Sequence, residues 1–109
     1  MEELINALRE RRGALSCRAA ELRAQNKDDE AVFCTVRANV YDICATVCDV
    51  WSKKGNASKC GEIFARFRED WSASLEDAKL RGDVKKVCVE ETKLEALGDV
   101  VSRFEAAGC

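Results

Sequence analysis

Apolar positions recur along this chain at intervals of three, four and seven, the period of an amphipathic helix rather than the alternation of a strand. Leu4, Leu8, Leu15, Ala19 and Leu22 mark a first helix over residues 2–25. The pattern stops at Gln25-Asn-Lys-Asp-Asp29, where Asp28 is placed to cap the next segment. Phe33, Val36, Val40, Ile43, Val47 and Val50 then alternate strictly by three and four over residues 29–53. That heptad-like spacing suits a helix packed nearly antiparallel to a neighbour. Lys53-Lys-Gly-Asn-Ala-Ser58 supplies basic residues for a helix C-terminus, a glycine for the left-handed cap and a serine for the next N-cap. A third helix over 58–81 carries Cys60, Phe64, Phe67, Trp71, Leu75 and Ala78 and ends at Arg81-Gly82. Asp83 caps a fourth over 84–107, whose stripe is Val84, Val87, Leu94, Leu97, Val101 and Phe104.

Helices of about 24 residues are about 36 Å long, and connections of about two to six residues force sequential helices to lie antiparallel. We therefore expect an all-α fold, one domain over 1–109, arranged as an up-down-up-down four-helix bundle. The alternative is a pair of helical hairpins completed by dimerisation. The chain contains no proline, so nothing forbids long unbroken helices.

The second helix has another stripe one residue beyond the first: Cys34, Arg37, Tyr41, Cys44, Cys48 and Trp51. A hairpin turning at Gly55 places Tyr41 near Trp71, Cys44 near Phe67, Cys48 near Phe64, and Trp51 near Cys60 and Gly61. Small sulfur-bearing residues then meet large aromatics, which close packing favours. Cys44 and Cys48 cannot bridge each other, because Cβ atoms four residues apart on a helix are about 6 Å apart and a disulfide needs about 3.5–4.5 Å. Zinc sites draw on Cys-x2-Cys or Cys/His sets, and the chain has neither that spacing nor any histidine. Cys60, in the first turn of its helix beside Lys59, is the best placed for reactivity, and its packing role under Trp51 is the stronger expectation. Cys17 and Cys88 are read as packing residues, and Cys109 as a frayed, exposed terminus that does not match a prenylation box.

Three polar features interrupt the stripes. Glu91 falls between Val87 and Leu94, level with Arg18 and Arg37, and is expected to be partly buried against one of them. Arg11 and Arg12 fill the gap between Leu8 and Leu15, with Asp42 and Asp70 near the same level. Their stems are expected to snorkel along the edge of the core. Gly98, inside the fourth helix, suggests close approach of a neighbour or a dent beside it.

Charge narrows the function. Eighteen basic against 20 acidic residues give a net charge of −2, which argues against general affinity for nucleic acid or an anionic membrane. The helix-one arginines are spread around the helix and interleaved with Glu10 and Glu21, so no basic stripe forms. The chain opens Met1-Glu-Glu with no apolar run of signal length, and no segment approaches the ~20 apolar residues of a membrane span, so a cytoplasmic protein is expected. Seven cysteines are then read as reduced thiols. There is no phosphate loop, no HExxH, no Glu-x-x-His and no nucleophile elbow. The expectation is a non-enzymatic helical-bundle protein acting through protein contacts, including self-association as a homodimer, with no catalytic, cofactor-binding or metal-ligating residues. The alternative is a thiol-dependent metal-binding or redox-sensing module built on Cys44, Cys48 and Cys60.

Overall fold

A computed structural model describes residues 1–108 and contains four helices: α1 (Glu2–Ala24), α2 (Asp28–Lys53), α3 (Lys59–Arg81) and α4 (Val84–Ala106). The expected all-α four-helix bundle is what the chain forms. Gly55 and Gly82 adopt φ values of +71° and +68° in the turns after α2 and α3, the left-handed region that a side chain resists. Asp83 caps α4 by accepting a hydrogen bond from the Lys86 amide at 3.1 Å. Asp28 is itself helical, after an N-cap at Lys27, so the cap expected there is not made; Ser58 stands at the N-cap of α3 as expected, but its hydroxyl donates to Asn56 Oδ1 at 3.0 Å and makes no capping hydrogen bond.

The helices are not arranged as a square. α1 packs along α2, α3 packs on α4, and the two hairpins join through α2 and α4, while α2 meets α3 only slightly and the backbones of α1 and α3 make no close approach among the described residues. Up-down alternation makes α2 and α4 parallel, and they sit on the short diagonal of a flattened body measuring 43 × 34 × 19 Å. Both size measures register the flattening. The radius of gyration is 14.8 Å, against about 13 Å for a compact chain of this length. The accessible surface is 6576 Å², against roughly 6,000 Å² for a monomer of this mass.

The α1 stripe is buried as expected: Leu4, Leu8, Leu15, Ala19 and Leu22, joined by Ile5. Its counterpart on α2 is Ala31, Cys34, Ala38, Tyr41, Ala45 and Cys48, all buried. These residues are a second three-four alternation, shifted by two positions from Phe33-to-Val50, hence about 200° round the helix. Alanine every seventh residue lets the two backbones approach closely, with α1 leucines filling the seam. Of the expected α2 stripe only Val40 is fully buried; Phe33, Val36 and Val47 are half-buried, and Ile43 and Val50 are exposed.

The other stripes also turn. On α4 the buried set is Glu90, Thr92, Ala96, Leu97, Val100 and Phe104, and Val84, expected inside, is 74% exposed. On α3 only Cys60, Phe64 and Ala78 are buried. Phe64 meets Phe104 edge to face, with ring centroids 5.4 Å apart and an interplanar angle of 89°. Phe67 and Trp71, half-buried, stack on each other at 5.2 Å. A Cβ added at Gly98 would meet nothing within 4 Å, so of the two expected alternatives it is open space beside that residue, and not the close approach of a neighbour, that the structure has.

α2 is also long and apolar enough, by length and composition alone, to cross a membrane, contrary to the expectation that no segment approaches that limit. Its position explains the composition. It touches all three other helices, so apolar residues spread round most of its circumference.

Candidate functional site

Three places carry distinctive chemistry, and the sulfur layer is the first. Cys44, Cys48 and Cys60 are fully buried, and the Cys60 thiol donates to the Val47 carbonyl at 3.8 Å across the α2–α3 junction. Burial pushes the Cys44 thiol up to about 12, with a smaller contribution from neighbouring Cys48. That is the reverse of what a nucleophilic or metal-binding thiolate requires. Among the described residues no group of three or more histidine, cysteine, aspartate or glutamate side chains is placed to hold a metal ion. Cys17 and Cys88, expected to pack, are exposed, and all six described cysteines are thiols. The expectation for Cys109 lies outside the described residues.

The second place is a polar layer that interrupts the core. Glu91 is exposed, and Arg18 pairs locally with Glu21 at 3.2 Å, so the expected buried pair between them is not formed. The buried carboxylate is one residue earlier. Glu90, 5% exposed, has Lys93 Nζ 3.3 Å from both oxygens; Oε1 takes the hydrogen bond, and Oε2 receives the ion pair without hydrogen-bond alignment. Lys93 also lies over the Trp71 ring, 4.7 Å from its centroid. Periodicity alone could not choose between Glu90 and Glu91, because the stripe on α4 is itself rotated.

About two and a half turns beyond Glu90 on α4, the buried Tyr41 hydroxyl donates to Asp99 Oδ2 at 2.6 Å, and Arg103 Nε donates to the same oxygen at 2.9 Å. Tyr41 thus turns to α4 and not to Trp71, which lies instead beside Val40 and Ile43. Burial, and then the hydrogen bond to Asp99, raise the Tyr41 pKa; Arg11 beside it opposes them. For Asp99, burial alone would raise the pKa, but hydrogen bonds from Tyr41 and Arg103 and the charges of Arg103 and Arg11 together hold it below its ordinary value. Arg11, Arg37 and Arg103 surround this pair in an open pocket of about 300 Å³ between α1, α2 and α4. Arg11 and Arg37 were visible in the sequence as stripe residues; Asp99 and Arg103 were not singled out. Arg12 reaches Asp42 at 3.8 Å on the neighbouring edge, and Asp70 is exposed.

The third place is the outer face of α2. Val32, Asn39, Ile43, Thr46 and Val50 are exposed and Val36 half-buried, so the face is uncharged over five turns. A shallow groove of about 310 Å³ runs from Val36 and Ile43 to Trp71. The face ends in acids, Asp28 and Asp29, at one extremity and in Lys53 and Lys54 at the other.

Comparison of the chain with protein-family models, with curated proteins and with solved structures gives no match.

Proposed function

We propose that this chain is a non-enzymatic protein that works through protein contacts, that its partner is a second copy of itself, and that the outer face of α2 is the contact. One observation carries the reading: the most regular apolar heptad of the sequence is left partly in solvent, while a stripe of small residues fills the core. Exposed apolar residues aligned along one helix face are unusual on a monomer and mark interaction surfaces.

Self-pairing follows from the distribution of charge. In an antiparallel pairing of α2 about a twofold axis level with Tyr41, Val32 lies opposite Val50 of the partner subunit and Asn39 opposite Ile43 of the partner subunit. The acidic first turn, Asp28 and Asp29, then meets the basic last turn, Lys53 and Lys54. A parallel pairing would set like charges together.

Sedimentation equilibrium from micromolar to millimolar concentration tests the reading. The wild-type chain is expected to be a dimer that weakens as salt rises, and Ile43→Glu a folded monomer with unchanged helicity. A wild-type monomer throughout that range, or an Ile43→Glu dimer as tight as wild type, would overturn it. The thiol-module alternative draws no support from sealed sulfurs. Iodoacetamide labelling with peptide mapping should modify Cys17 and Cys88 long before Cys44, Cys48 or Cys60, and fast modification of those three would revive it.

A further inference from the structure

The pocket around Tyr41 and Asp99 holds more positive charge than its own residues consume. Asp99 is engaged by two donors, the Tyr41 hydroxyl at 2.6 Å and Arg103 Nε at 2.9 Å, and so neutralises Arg103. Arg37 is half-buried on the same wall, and among the described residues no carboxylate lies within 4.0 Å of its guanidinium. Arg11 stands beside the phenol oxygen and has no carboxylate within 4.0 Å among the described residues either. Against these two arginines the pocket sets Glu95, on an exposed position, and the longer-range attraction of Asp99 for Arg11, so three arginines face two carboxylates. Every other arginine at the α1–α2 seam is differently placed. Arg9 and Arg12 reach Asp49 and Asp42, and Arg23 donates to the Thr35 hydroxyl.

From this arrangement we infer a binding site for a small phosphorylated metabolite, with the phosphate seated between Arg11 and Arg37. Arg11 from α1, exposed, and Arg37 from α2, half-buried, both line the pocket, and guanidiniums present planar forks of donors, the geometry that matches phosphate oxygens in pairs. Asp99 contributes by fixing Arg103 and the phenol, so the wall is set before the ligand arrives. A pocket of about 300 Å³ sits at the lower end of small-molecule sites. It admits a phosphate and a short organic body but not a nucleotide pair or an acyl chain. The pocket opens on the side of α2 turned toward α1 and α4, away from the outer face, so occupancy and self-association are independent.

Isothermal titration of the full chain with pyrophosphate and with glycerol 3-phosphate, at low ionic strength, tests the site. One-to-one saturable binding at millimolar or lower concentration is expected. Arg37→Gln should weaken it at least tenfold, and Arg11→Gln similarly. Arg66→Gln, which removes an exposed α3 arginine outside the pocket, should leave it unchanged. Circular dichroism melts establish that each variant is folded, and Arg11→Gln stands in should Arg37→Gln fail to fold. No saturable binding, equal weakening by Arg66→Gln, or wild-type affinity in both pocket variants would overturn the inference; the last two would mark an adventitious ion only.

Discussion

The two faces of α2 carry the same three-four alternation with opposite fates. The face built from Ala31, Ala38 and Ala45 with Cys34, Tyr41 and Cys48 is buried, whereas the face bearing Ile43 and Val50 meets solvent. By side-chain hydrophobicity the second should have won. The difference teaches that a helix core is chosen by fit as well as by transfer energy. Small residues let α1 approach so closely that its leucines fill the space, and the gain is shared by every contact along the seam. Larger β-branched residues cannot serve there, so they are left for the looser contact with α3 and for the surface.

That contrast can be broken by experiment, and the largest effect should come from the sulfur beside the alanines. The Cys44 thiol is held in its neutral form, its pKa pushed from 9 to about 12 by burial, so the folded state keeps a proton that the unfolded chain gives up. Stability is therefore fully present below pH 9 and falls as pH rises toward 12, by as much as about 4 kcal/mol. Urea unfolding at a series of pH values should show this slope, and Cys44→Ala should reduce it, leaving the alkaline part that the raised Tyr41 pKa contributes, while lowering stability at neutral pH.

Next in size is a pair of adjacent substitutions. Ala45→Leu adds bulk at a buried position of α2 and should cost about 1–3 kcal/mol. Thr46→Leu, one residue on and exposed, should change chain stability by no more than about 0.5 kcal/mol. Equal costs for the two would show that the faces do not differ in packing. Gly98→Ala should stabilise by up to about 1 kcal/mol, because a Cβ there meets open space and alanine favours the helix. The smallest effect is the acid limb. Asp99 is held below its ordinary pKa, so its contribution is present above about pH 4 and is lost as pH falls through its depressed value. Asp99→Asn should remove that part of the acid slope.

Much of the fold was legible in the sequence, because turn chemistry and period act locally. Gly55, Gly82 and Asp83 punctuate the chain where their backbone preferences require, and the α1 leucines have only one way to face inward. The pairing of helices was not legible. It depends on which of several apolar stripes packs best against a distant partner, and Ala31, Ala38 and Ala45 give a weak signal on any hydrophobicity scale. From that one ambiguity the other misses follow. With α2 turned toward α1 and α4, the buried carboxylate becomes Glu90 and not Glu91, Tyr41 finds Asp99 and not Trp71, and the arginine layer closes around a residue the stripes did not mark. Arg11 and Arg37 were readable as polar interruptions of apolar stripes, since a helix keeps such residues only where a partner or water can reach them. Asp99 and Arg103 lie on an ordinary-looking polar face, and nothing local announced them.

The position of α3 has a dynamic consequence. Between Phe64 and Ala78 none of its residues is fully buried, and its backbone makes no close approach to α1 among the described residues. It serves as a strap returning the chain from the end of α2 to the start of the parallel α4. Its middle amides should exchange with deuterium through local openings that leave the rest of the molecule folded, whereas those of α2 must wait for global unfolding. The strap can thus loosen and reclose while the α1–α2 seam keeps its register.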